Sequence, residues 1–94
     1  MAHGLLIHAD RDQVGVAVRD LKPGETVTGV YQLSLQETRI TVRDAVPLGH
    51  KVALRELQTG DTVIEYGEVI GVATQPIAAG EHVHVHNIKS VRWG

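Results

Sequence analysis

Apolar residues recur at every second position in short bursts along this chain. Val14, Val16 and Val18 alternate with Gly15 and Ala17, and Thr38-Arg39-Ile40-Thr41-Val42 repeats the alternation. This period turns one side of a strand to a core and the other to water. Leu5-Leu6-Ile7-His8, Val27-Thr28-Gly29-Val30-Tyr31 and Lys51 to Leu57 read as further strands, as do Thr62 to Gly67 and Val69 to Ala73. Ser34 to Glu37 reads as a turn or a single helical turn, and Gly67 and Gly71 as bends. Short runs about eight to twelve residues apart, with glycine turns between them, predict an all-β domain. The expected form is a compact bent-strand barrel or clip with little helix, one domain over residues 1–94.

One local pattern returns three times: Leu21-Lys22-Pro23-Gly24-Glu25-Thr26-Val27, Leu57-Gln58-Thr59-Gly60-Asp61-Thr62-Val63 and Ile77-Ala78-Ala79-Gly80-Glu81-His82-Val83. An apolar residue, two variable ones, a glycine and an acid lead into a strand. The glycine suits a left-handed turn position and the acid can accept nearby backbone N–H groups. The uneven spacing makes this a recurring corner rather than a solenoid. Val46-Pro47-Leu48-Gly49-His50-Lys51 breaks the alternation and reads as a loop or bulge.

The last corner feeds Glu81-His82-Val83-His84-Val85-His86-Asn87, which holds half of the six histidines. On a strand, His82, His84 and His86 would share one face, with Val83 and Val85 turned to the core. Same-face neighbours lie roughly 7 Å apart at the backbone, so two adjacent imidazoles can share a divalent metal or meet one anion. His82 and His86, roughly 13 Å apart on a straight strand, cannot. Histidines on a solvent-facing edge strand also occur with no such role.

Composition narrows the picture. No Phe, one Trp and two Tyr leave Val, Leu, Ile and Ala to build the core of 94 residues. A chain of this size buries only about 60–70% of its unfolded surface, so partner contacts add useful stability. Nine basic and eleven acidic residues, net −2, provide no footprint for nucleic acid. Absence of cysteine excludes disulfides and thiolate metal sites. No apolar run approaches the ~20 residues of a membrane span, and the N-terminus lacks a secretory pattern, so the expected location is the cytoplasm.

His50-Lys51, after Pro-x-Gly, is a second candidate site, two side chains able to meet an anion. Lys89 and Arg92 add positive charge, and with His50, Lys51, His84 and His86 they form a possible patch for a carboxylate or sulfonate. Either group also fits a solvated surface. Glu65 and Glu68 read as surface charges beside the Tyr66-Gly67 bend. No nucleophile elbow, P-loop or dinucleotide fingerprint is present.

Pro47-Leu48-Gly49-His50-Lys51-Val52-Ala53-Leu54, Tyr66-Gly67-Glu68-Val69-Ile70-Gly71-Val72-Ala73-Thr74 and Gly80-Glu81-His82-Val83-His84-Val85-His86-Asn87 together resemble the N-terminal module of the altronate and galactarate dehydratase family. That module is a SAF domain, a β-clip fold related to type III antifreeze protein and the C-terminal domain of sialic acid synthase. The resemblance covers nearly the whole chain. It implies a lyase acting on a 2-hydroxy acid, which removes the proton α to a carboxylate and expels water or sulfite from the β carbon.

In the dehydratases a much longer catalytic region follows the module. The stop soon after the histidines implies a small subunit with a separate large catalytic partner, as in two-subunit altronate-type dehydratases and sulfolactate sulfo-lyase. The ending Asn87-Ile88-Lys89-Ser90-Val91-Arg92-Trp93 resembles the latter more. The resemblance also implies a divalent metal, iron in many members, shared with the large subunit. It assigns His84 and His86 as catalytic and metal-binding residues and His50, Lys51 and Asn87 as substrate-binding ones. One departure is Asp12-Gln13-Val14, where the family often has Asp-Asn-Val. The rival expectation is a non-catalytic SAF module that binds metal or ligand and self-associates.

Overall fold

The computed structural model describes residues 3–90 and is all β. Nine strands follow in order: β1 (His3–Ile7), β2 (Val14–Ala17), β3 (Thr26–Tyr31), β4 (Glu37–Thr41), β5 (Lys51–Ala53), β6 (Thr62–Glu65), β7 (Glu68–Ala73), β8 (His82–Val83) and β9 (Ile88–Ser90). Six form one curled sheet in the order β4-β3-β1-β2-β5-β8, and β6-β7-β9 form a second. Only β1 and β3 run parallel; the other pairs are antiparallel. Among the described residues no helix is long and apolar enough to cross a membrane.

The expected strands are present, with three corrections. The run from Lys51 stops at Ala53, because Leu54 to Glu56 turn toward the next corner. Gly71 is no bend but lies inside β7, where a Cβ would come 2.7 Å from the Lys89 carbonyl oxygen of β9. The histidine strand is two residues long, because the chain turns after Val83.

The corners organise everything else, and there are four. Val46-Pro47-Leu48-Gly49-His50 adopts the same turn as the three repeats, with Gly24, Gly49, Gly60 and Gly80 at φ of 86°, 86°, 91° and 91°. The corners work in two reciprocal pairs. Gly24 donates its N–H to Val42 O while Gly49 donates to Ala17 O, and Leu21 bridges Val46. Gly60 donates to Ala73 O while Gly80 donates to Ala53 O, and Leu57 bridges Ile77.

Each pair encloses its own apolar cluster. The first holds Ala17, Leu21, Val42 and Val46 with Leu5, Val27 and Val52. The second holds Ala53, Leu57, Ala73 and Ile77 with Val14, Val63 and Val83. The neighbours Val52 and Ala53 enter different clusters, so β5 is a wall between them, as strand alternation requires.

Chemistry at the fifth corner position explains where a histidine became possible. In three corners that residue is an acid whose carboxylate accepts a backbone N–H three residues back: Glu25 from Lys22, Asp61 from Gln58, Glu81 from Ala78. In the remaining corner the residue three back is Pro47, which has no N–H. No carboxylate is needed there, and His50 occupies the position.

The corners also set a stability expectation. At Gly60 nothing lies within 4 Å of an added Cβ, whereas at Gly80 it would run into the Thr41 carbonyl oxygen. Gly60→Ala should cost only the left-handed strain, about 1–2 kcal/mol, and Gly80→Ala about 3–4 kcal/mol. Urea unfolding of both variants measures the difference; equal losses would show that the Gly80–Thr41 approach is unimportant.

A candidate metal centre of clustered histidines

The last corner delivers His82 to the edge of the large sheet, opposite Val52 of β5. Its backbone N–H is held at 3.0 Å by the carboxylate of Asp44. The straight stripe expected from alternation does not continue. After Val83 the chain turns at residues 84–87, and the turn is built by Asn87. Asn87 is fully buried; its Oδ1 accepts the His84 N–H at 3.0 Å and its Nδ2 donates to His82 O at 2.8 Å. Asn87 and Ile88 N–H groups both close on His84 O. Asn87, which the resemblance places with the substrate, is here buried and bonded within the turn. Val85, expected in the core, stands at the turn tip 78% exposed.

The turn nonetheless gathers the rings. His82 and His84 stack with centroids 5.5 Å apart, and His86 tilts against His82 at 5.4 Å. His50 comes across from its corner, 4.7 Å from the His84 ring and 5.1 Å from that of His82. His50 Nδ1 and His82 Nε2 share one hydrogen bond at 2.9 Å. One ligand nitrogen from each of His50, His82 and His84 lies within 4.8 Å of the others. Imidazoles about 2.1 Å from a common ion stand about 3.4 Å apart, so this trio fits a divalent metal with little movement. Such an ion would replace the proton that His50 and His82 now share. His86 is exposed beside the trio and is not part of it.

Sequence spacing pointed to His84 and His86 and placed His50 with the substrate. The grouping of His50 with His82 was not visible there, because the two meet only through the pairing of β5 with β8. Lys51 is carried away from the cluster. It pairs with Val16 and Val83 across the sheet, whereas Val52 and His82 face the other side. Its ammonium lies 3.9 Å from Glu65, which is buried and not a surface charge. Lys89 is exposed on β9, and Arg92 falls outside the described residues.

Burial pushes the His82 imidazole below its ordinary 6.5, helped by His50, His86 and His84 and opposed by Asp44. As pH falls below about 6.5 the unfolded chain therefore takes up a proton first, and stability is lost down through the folded-state pKa. The metal-free chain should melt at lower temperature near pH 5.5 than near pH 7.5, and His82→Asn should flatten part of that dependence. Thermal scans across this range test it; parallel curves for the two proteins would contradict it.

Comparison with known proteins bears on this site. A family model described as the altronate/galactarate dehydratase SAF domain matches residues 3–91. The chain is 42% identical over 94 residues to the (2R)-sulfolactate sulfo-lyase subunit alpha of Chromohalobacter salexigens, covering 99% of this chain and 100% of that one. It is 40% identical over 80 residues to the altronate dehydratase of Bacillus subtilis, covering 85% of this chain and 15% of the relative. To the altronate dehydratase of Escherichia coli it is 44% identical over 84 residues, with 16% of that relative covered. The chain thus spans the whole of one kind of relative and a small part of the other.

Proposed function

The chain belongs to the altronate/galactarate dehydratase SAF-domain family, and we propose that it is the small subunit, a single cytoplasmic domain, of a two-subunit lyase acting on a 2-hydroxy acid. The observation that carries this reading is the end-to-end match to a subunit alpha, set beside a histidine trio that is open to a partner. The same match favours a sulfonated hydroxy acid such as sulfolactate over a sugar acid such as altronate.

The proposed reaction breaks the Cα–H and Cβ–S bonds of the substrate. The C–S electron pair leaves with sulfite, and the resulting enol gains a proton at carbon to become a 2-oxo acid. In the dehydration variant hydroxide leaves with an added proton. His50, His82 and His84 are the residues that would hold a divalent metal, iron in this reading. A bound ion there supplies fixed positive charge for the substrate carboxylate and the enolate-like charge. His86 stands exposed beside the trio as a proton carrier. Asn87 fixes the backbone of His82 and His84 and thereby their rings. The large subunit completes the site, with the remaining acid–base groups and the closure that excludes water.

The test is capture of the tagged chain from its native cells, with mass spectrometry of what co-purifies. One large partner in near-equal amount, and sulfite release from sulfolactate by the complex, is the expected result. Recovery of the chain alone or self-associated with tightly bound metal would replace this reading with that of a non-catalytic binding module.

A further inference from the structure

A second site lies on the face of the large sheet that carries Lys51 rather than His82. Leu6, Val16 and Lys51 are successive register partners across β1, β2 and β5. With Val18, His8, Tyr66 and Glu65, the valine and leucine line a cavity of about 90 Å³. The His8 and Tyr66 rings lie together at 4.4 Å. A cavity of about 150 Å³ takes benzene, so this one suits a slim unbranched arm.

The charges call for a cation. Glu65 is only 9% exposed, and its nearest cation, Lys51 Nζ, stands 3.9 Å away, beyond hydrogen-bond reach. Asp12 is fully buried close by and its carboxylate is occupied by backbone N–H groups. Among the described residues two carboxylates therefore face one ammonium, and the Glu65 carboxyl has no closer donor. The surroundings argue for a protein rather than a small solute. Leu6, Val18 and Tyr66 are exposed large apolar side chains. Leu33 and Leu35, also exposed, follow Gln32, which lines the cavity, and Leu35 is held at φ 63°, a costly backbone for leucine.

We propose that this groove receives a lysine side chain of the large partner subunit, its alkyl arm between Leu6, Val16 and Val18 and its ammonium on the Glu65 carboxylate. The inference rests on the two-subunit reading. It adds a contact with the large subunit on the opposite face of β5 from the histidines, apart from the one that completes the histidine site, so the two contacts can be tested separately.

Carbodiimide coupling of the assembled complex provides the test, because it joins a carboxylate to an ammonium only where the two touch. Expected is a cross-link between Glu65 and one lysine of the large subunit, absent in Glu65→Gln. Glu65→Gln and Val18→Asp should each weaken capture of the large subunit about tenfold or more, while His84→Ala leaves capture unchanged. Burial holds the Glu65 pKa up, so Glu65→Gln removes a poorly solvated charge and should fold at least as well. Butylammonium chloride should shift the Tyr66 and Gly67 amide signals of the free chain, and not those of Glu65→Gln. Undiminished capture by both variants, or loss of self-association in place of partner capture, would overturn the proposal. A wild-type chain that captures no large subunit refutes the two-subunit reading instead, and the butylammonium titration then still decides whether the groove takes an alkylammonium.

Discussion

Replacing His84 by alanine in the assembled enzyme should lower kcat by about a thousandfold or more, a loss of about 4 kcal/mol of transition-state stabilisation. His50, His82 and His84 each bring one nitrogen to a common point, and two imidazoles hold an ion far less well than three. His50→Ala and His82→Ala should therefore behave alike, and all three variants should lose bound metal after dialysis. His86→Ala should keep the metal and lose about a hundredfold in rate, the usual contribution of a positioned proton carrier. Metal content measured beside turnover separates the two roles. Full activity in His84→Ala and His86→Ala would sink the assignment of the site, and metal loss in His86→Ala would show that the ligand set is different.

Asp12→Ala should destabilise the chain by about 4–5 kcal/mol, since it strips a buried acceptor from several donors at once. Asp12 Oδ2 accepts the Tyr66 N–H at 2.9 Å and Oδ1 the Gly67 N–H at 3.0 Å, with a longer bond from Ala9 N–H at 3.3 Å. Tyr66 and Gly67, at φ of 56° and 73°, form the two-residue turn between β6 and β7. A turn with both central residues left-handed matches strand twist, but tyrosine adopts that backbone at a cost. Asp12 offsets the cost from the far end of the chain.

Asp12→Asn keeps one acceptor oxygen and should lose about half as much. Small domains typically hold 5–15 kcal/mol in total, so the alanine variant should be largely unfolded at modest urea concentrations. A urea midpoint close to that of the wild type would show that water replaces the carboxylate without penalty. Next to Asp12, Gln13 makes the same connection, its backbone N–H and side-chain Oε1 both bonded to Ile64. The departure Asp12-Gln13-Val14 therefore retains a working stitch between the two sheets.

Much of the architecture was legible because it is local. Alternation at Val14 to Val18 and at Thr38 to Val42 marks strands, since a period of two is a property of the backbone itself. Gly24, Gly60 and Gly80 announced corners, since φ near 90° excludes most other residues. The fourth corner went unseen because the recurring acid is missing at His50. That acid is needed only where a backbone N–H must be satisfied, and Pro47 removes the N–H. Composition and motif order also sufficed for the family, since three motifs in sequence are hard to match by chance.

Tertiary structure alone decided the rest, because it depends on partners distant in the chain. Alternation extended the histidine strand through Val85, but a buried Asn87 amide outcompetes the sheet ladder and folds residues 84–87 into a turn. His50 and His82 are 32 residues apart and meet only because β5 and β8 pair at an edge. Lys51 follows His50 directly, yet its register with Val16 and Val83 sends it to the opposite face and to Glu65. The sequence alone determined a β chain with glycine corners, a histidine-rich end and its family. Which imidazoles meet, and which charges are kept from them, was decided by strand register, in which a shift of one residue exchanges the two faces of a sheet.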